Sequence, residues 1–184
     1  MTAVAPVEAL FRRLLGATVF DRLPEPLRRL HLRRGTAQWR GEVEVIRGRS
    51  PLARLCAWAT RLPPTGVGPI MVEIVAGDDG RERWTRHVAG HAMRSRLRAA
   101  DALLDERLGL VDFRFRLDSR DADIVWTVQG VRVFGLLPLP ASWFSQVRAR
   151  ESADGARYRF EVVAALPLAG PLVEYRGWLK VDET

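Results

Sequence analysis

Glu174, Arg176 and Trp178 recur at every second position of the apolar stretch Pro171–Val181, P-L-V-E-Y-R-G-W-L-K-V. Successive side chains of a strand point to opposite faces. An acid, a guanidinium and an indole therefore share one face, against Val173, Tyr175, Leu179 and Val181 on the other. A carboxylate beside a guanidinium can orient a polar group or exchange a proton, and an indole supplies an apolar wall. Gly177 leaves room for a neighbouring backbone or ring. The stretch reads as a strand lining a pocket, not as a catalytic signature.

A second polar run, Glu82–Leu97, reads E-R-W-T-R-H-V-A-G-H-A-M-R-S-R-L. Trp84 and Arg86 share one strand face there, while Arg83, Thr85 and His87 share the other. With the final strand, this defines an expected ligand-binding set of Trp84, Arg86, Glu174, Tyr175, Arg176 and Trp178. His87 and His91 lie four apart, but a zinc site needs at least three protein ligands and His31 is the only other histidine. No metal or cofactor is expected. Ser95 has no spacing that brings His87 or His91 to it as a base. Phosphate-binding, dinucleotide-binding and nucleophile-elbow motifs are absent. Glu42, Glu44, Glu73 and Glu174 sit in strand-like segments, where pairing with arginines on neighbouring strands is the expected role. The six tryptophans suit either a sheet core or the wall of an apolar cavity.

The elements that must position these residues are mostly strands. Val7–Gly16 has helical spacing of Val7, Leu10, Phe11, Leu14 and Leu15, and Leu23–Gly35 continues as a second short helical segment. Its basic cluster, Arg28–Arg34, reads as a solvated face in preference to a grip on phosphate or anionic lipid. Thr36–Gly48 alternates as a strand. Ser50 and Pro51 then open a helix ending near Leu62, with Cys56 on its buried side. Ile70–Ala76 and Glu82–Ala89 flank G-D-D-G, a hairpin signal. Arg98–Leu108 has a helical composition, and Leu110–Leu117, Ile124–Val128, Val131–Leu137, Val147–Glu151 and Arg157–Ala164 read as strands, with a helical turn expected within Ala141–Gln146.

This predicts a mainly β (α+β) fold: a large curved antiparallel sheet or β-barrel of about eight or nine strands, with two short N-terminal helices. A single domain is expected over residues 1–184, with a helical N-terminal segment (1–35) packed on a β-rich body (36–184). No long helix follows the last strand, which argues against a helix-grip fold.

The 29 basic residues outnumber 22 acidic ones, but Lys180 is the only lysine. So strong an arginine bias is read as a composition effect, and nucleic acid is not favoured as a partner. Cys56 is the only cysteine, which permits no intrachain disulfide and suits a reducing compartment. The opening M-T-A-V-A-P-V-E has no leader pattern, and no apolar run is long enough to span a bilayer. A cytoplasmic protein is expected.

L-R-R-L-H (Leu27–His31), R-W-T-R-H (Arg83–His87) with Ser95 beyond, E-R-L-G (Glu106–Gly109), L-P-L-P (Leu137–Pro140) and Y-R-G-W-L (Tyr175–Leu179) follow one another in an order that resembles the bacterial domain of unknown function family 4166. The resemblance covers nearly the whole chain. It implies a domain found alone or behind a saccharopine dehydrogenase-like NAD(P)-binding domain, and implies no activity of its own. The expected function is binding of a hydrophobic or amphipathic small molecule in the curved sheet. The alternatives are an enzyme acting on such a ligand through Glu174, Arg176 and His87, or a docking module for a separate NAD(P)-dependent oxidoreductase.

Overall fold

A computed structural model describes residues 7–167 and 169–181. Residues 1–6, within the opening stretch on which the expectation about a leader rests, Leu168 in the Pro167–Pro171 connection, and residues 182–184 lie outside the described residues. The chain runs α1 (Leu10–Leu15), α2 (Ala17–Phe20), α3 (Glu25–Leu32), β1 (Gly35–Arg47), α4 (Pro51–Ala59), β2 (Gly66–Ala76), β3 (Glu82–Val88) and β4 (His91–Ala100). It continues with β5 (Leu103–Leu108), β6 (Val111–Arg120), β7 (Asp123–Val133), β8 (Leu137–Leu139), a 3-10 turn (Ala141–Phe144), β9 (Arg148–Asp154), β10 (Arg157–Leu166) and β11 (Gly170–Lys180).

The eleven strands form one antiparallel sheet in the order β6-β5-β4-β3-β2-β1-β11-β10-β9-β7-β8, and pairing of β6 with β7 closes it. Ten strands make the barrel. β8 stands outside, paired only with Val131–Val133 of β7, while β7 residues Ile124–Thr127 pair with β9. The expected curved sheet or barrel is therefore a closed barrel, with more strands than the eight or nine read from spacing. Closure follows from strand number, since so many twisted strands curl until their edges meet.

Where helical composition was read, Arg98–Leu108 is the end of β4 and the whole of β5, joined at Asp101 and Ala102. Asp101 has φ 57°, a turn conformation. Alternation then decides the outcome, because Leu104 and Glu106 are buried while Arg107 is exposed. Tertiary packing overrides the helix propensity of alanine, leucine and glutamate here. Among the described residues, three short helices precede β1, not two, because Gly16 with φ 81° ends α1 and a separate turn, α2, follows.

The helices occupy opposite ends of the barrel. Leu10, Phe11, Phe20, Leu23, Leu27 and Leu30 of α1–α3 and their connection join the main core cluster with Trp84, Leu104 and Trp126. They close the end at the start of β1. At the other end, Ser50 caps α4 by accepting from the Ala53 N–H at 3.1 Å, and its hydroxyl donates to the Ala169 carbonyl at 2.7 Å. The C-terminus of α4 is tied down where the Leu110 N–H donates to the Ala59 carbonyl at 2.9 Å. Gly109 makes that approach feasible, since a Cβ there would strike the Ala59 carbonyl. No helix among the described residues is long and apolar enough to cross a membrane.

Candidate functional site: the barrel interior

A cavity of about 150 Å³ lies inside the barrel. Its walls are mainly apolar, with Ile70, Val72, Phe113, Phe115, Val162 and Val173 among them, and Cys56, Thr60 and Leu62 of α4 and its C-terminal extension lie at the α4 end. The outer side of α4 is apolar as well: Leu52, Leu55 and Trp58 are exposed, Trp58 at 69%. Phe134, Leu136 and Leu137, around the β7–β8 turn, are exposed beside it, with the Phe134 N–H donating to the Leu110 carbonyl at 2.8 Å.

Parity sorts the expected residues. Trp84, Arg86 and Tyr175 line the cavity. Glu174, Arg176 and Trp178 belong to the opposite parity of β11 and lie on the outer face, away from the cavity. Arg176 there donates to Glu44 at 2.9 Å, the cross-strand pairing expected for that carboxylate, whereas Glu174 lies 3.8 Å from the same arginine on its own strand. It is the phenol-bearing parity, Val173, Tyr175 and Leu179, that faces inward. Gly177 provides the expected room, because a Cβ there would sit 2.6 Å from Cζ of Phe160 and against the Glu42 carbonyl.

The polar groups inside form two sets. In the first, Arg86 Nη1 donates to Ser95 Oγ at 3.0 Å, and its Nη2 lies 3.7 Å from Glu106 Oε1. The guanidinium also sits 5.0 Å from the Trp84 ring centroid, a cation–π contact. Tyr175 stands near this set; burial pushes its phenol pKa up, against the opposing pull of Arg86. The second set lies at the helical end. His31 Nε2 donates to Glu151 Oε2 at 2.6 Å, with both side chains buried. Phe11 stacks on the His31 ring at 3.6 Å between centroids. Burial, and then the Glu151 carboxylate, hold the Tyr158 phenol well above its ordinary pKa. The Trp84 Nε1–H donates to Glu82 at 2.8 Å, and burial raises the pKa of that carboxyl.

His87 shares the outward parity of β3, and His91 Nε2 bonds to the Arg61 carbonyl oxygen at 2.8 Å. Ser95 is engaged by Arg86 instead of by either histidine. Cys56 borders the cavity half-buried, and burial raises its thiol pKa, which disfavours the nucleophilic thiolate. Among the described residues, no three histidine, cysteine, aspartate or glutamate side chains gather as a metal site.

Sequence reasoning missed Glu106, Glu151 and Tyr158 in the interior, and His31 as Glu151's partner. One signal was available for His31: it follows Leu27 by four residues, on the apolar face of α3. Glu151 had none, since its partner is 120 residues away.

No curated protein matches the chain. Residues 23–179 match the family described as Domain of unknown function (DUF4166), as the ordered motifs anticipated. Matched over most of its length, and with those motifs spread from α3 to β11, the chain belongs to the DUF4166 family.

Proposed function

We propose that the barrel binds a small amphipathic molecule, its apolar body among Val72, Phe115 and Val162 and an oxygen-bearing end at Arg86 and Tyr175. The observation that carries this is a guanidinium in an apolar cavity, on a side chain 11% exposed, held by one neutral hydroxyl and one carboxylate at 3.7 Å. A guanidinium has five N–H donors, so this one has capacity left for a ligand carbonyl, hydroxyl or carboxylate. Apolar walls with a few convergent polar groups are the usual composition of a small-molecule site. A cavity of about 150 Å³ suits a single ring or a short chain, comparable to engineered cavities that take benzene. Trp84 is the wall that orients Arg86.

Acid–base chemistry on such a ligand would fall to Glu106, Glu151 and Tyr158, which line the cavity, since Glu174, Arg176 and His87 point outward. Accessory docking to an oxidoreductase would use the exposed apolar residues at the α4 end. The lone thiol supports a reducing, cytoplasmic setting for either role.

Native mass spectrometry of wild type and Val162→Phe, with hexanoate and benzoate as added probes, tests the binding. Wild type should hold one probe molecule and V162F none, while Arg86→Met should weaken binding about tenfold or more. Equal occupancy in wild type and V162F would remove the cavity from the function. Turnover of a bound ligand that disappears in Glu151→Gln with binding retained would establish catalysis.

A further inference from the structure

The outer face of the barrel carries a feature unrelated to the cavity. On β3, β4 and β5, Arg83 lies directly opposite Arg96, and Arg96 directly opposite Arg107. The row continues through Asp112 on β6 to Arg132 on β7. All four arginines are exposed. Like charges in directly opposed cross-strand positions destabilise a sheet, so three in succession call for a compensating anion. The protein supplies little. Asp112 lies 3.8 Å from Arg107, and Asp105 is shared by Arg98 and Arg114 at 3.1 and 2.9 Å. Arg81 has Asp79 at 3.5 Å. Arg83, Arg96 and Arg132 form no ion pair with the described residues.

This row floors a groove of about 970 Å³ on the barrel flank, with Pro138, Leu139 and Ala141 from β8 and the 3-10 turn among its lining residues. Neighbouring strands are about 4.8 Å apart, so the three adjacent guanidiniums span roughly 10 Å. Arginine forks match phosphate oxygens bidentately. Among the described residues, the one aromatic on the lining, Phe113, also lines the internal cavity and stacks on Phe115 at 5.6 Å. The groove therefore offers no platform for stacking a run of bases, which single-stranded nucleic acid binding uses.

The geometry points to a binding site for a small molecule carrying a run of phosphoryl groups, seated across Arg83, Arg96 and Arg107 with Arg132 at one end. The source is either inorganic polyphosphate or the phosphate tail of a nucleotide.

Isothermal titration at low salt with inorganic tripolyphosphate, and in parallel with a nucleoside triphosphate, tests this. One-to-one binding is expected, weakened about tenfold in Arg96→Ser and unchanged in Arg176→Ser, an exposed arginine elsewhere on the barrel. Equal affinity for the two probes assigns recognition to the phosphate chain, and tighter nucleotide binding adds a nucleoside contact at the β8 wall. Equal losses in R96S and R176S would reduce the effect to net charge and overturn the site. Tighter binding of a short single-stranded oligonucleotide than of either probe would overturn it in favour of nucleic acid. Without ligand, R96S should raise the thermal midpoint by about 1–3 °C by relieving repulsion. A fall in the midpoint would instead make Arg96 a structural residue.

Discussion

The two ends of the barrel are both covered by helix, yet they are built from opposite materials. At the end held by α1–α3, Phe11 is fully buried and stacks on His31, and Leu27, Leu30 and Phe20 are sealed beneath the helices. At the α4 end, one short helix lies with Trp58, Leu55 and Leu52 exposed, and Leu136 is 84% exposed. Burial per residue sets local stability, and functional openings are drawn from its low end. The helical end therefore carries more of the barrel's stability, and the α4 end is the less tightly packed of the two.

Substitutions can break or sharpen that contrast. The largest effect is expected for Phe11→Ala, which removes a fully buried ring and should cost about 3–5 kcal/mol in urea unfolding. Glu151→Ala comes next. It leaves His31 buried without its partner and should cost about 2–4 kcal/mol in the same measurement. Trp58→Ala, although it removes the larger side chain, should stay within about 0.5 kcal/mol of wild type. A loss comparable to that of F11A would erase the distinction between the ends.

The smallest effect is a pH dependence at the helical end. An unfolded glutamate ionises near 4.5, whereas burial moves the folded Glu82 carboxyl to higher pH. Between those values the folded state holds the extra proton, so stability declines as pH rises through that window. Glu82→Gln keeps an acceptor for the Trp84 N–H and should flatten the stability curve there. A decline as steep as wild type's would place its source elsewhere.

Much of the barrel was legible because its signal is local. Alternation in Leu110–Leu117, the G-D-D-G hairpin and the Ser50 cap each depend on a few neighbouring residues, and each stands in the structure. The interior was half legible. Trp84, Arg86 and Tyr175 can be picked out, but Glu174, Arg176 and Trp178 come with them because both parities of β11 mix apolar and polar groups. Only the barrel's curvature chooses between such faces. The His31–Glu151 bond and the opposed arginines depend on register between separate strands and helices, which no single segment records.

The order of strands around the ring also bears on how the barrel assembles. Nine of its ten ladders join strands that are successive in the chain or, for β7 and β9, separated only by β8 and the 3-10 turn. The tenth, β1 with β11, pairs Arg47 with Val173 at one extremity and Arg40 with Lys180 at the other. Hairpins of the first kind form in about 1–10 μs, so nearly all of the long-range entropy loss is concentrated in one closure. The cost of such a closure rises only by about 0.6 kcal/mol for each doubling of the loop. The rate of folding should thus be governed by the eight residue pairs of the β1–β11 seam, and added length in any connecting turn should slow it little.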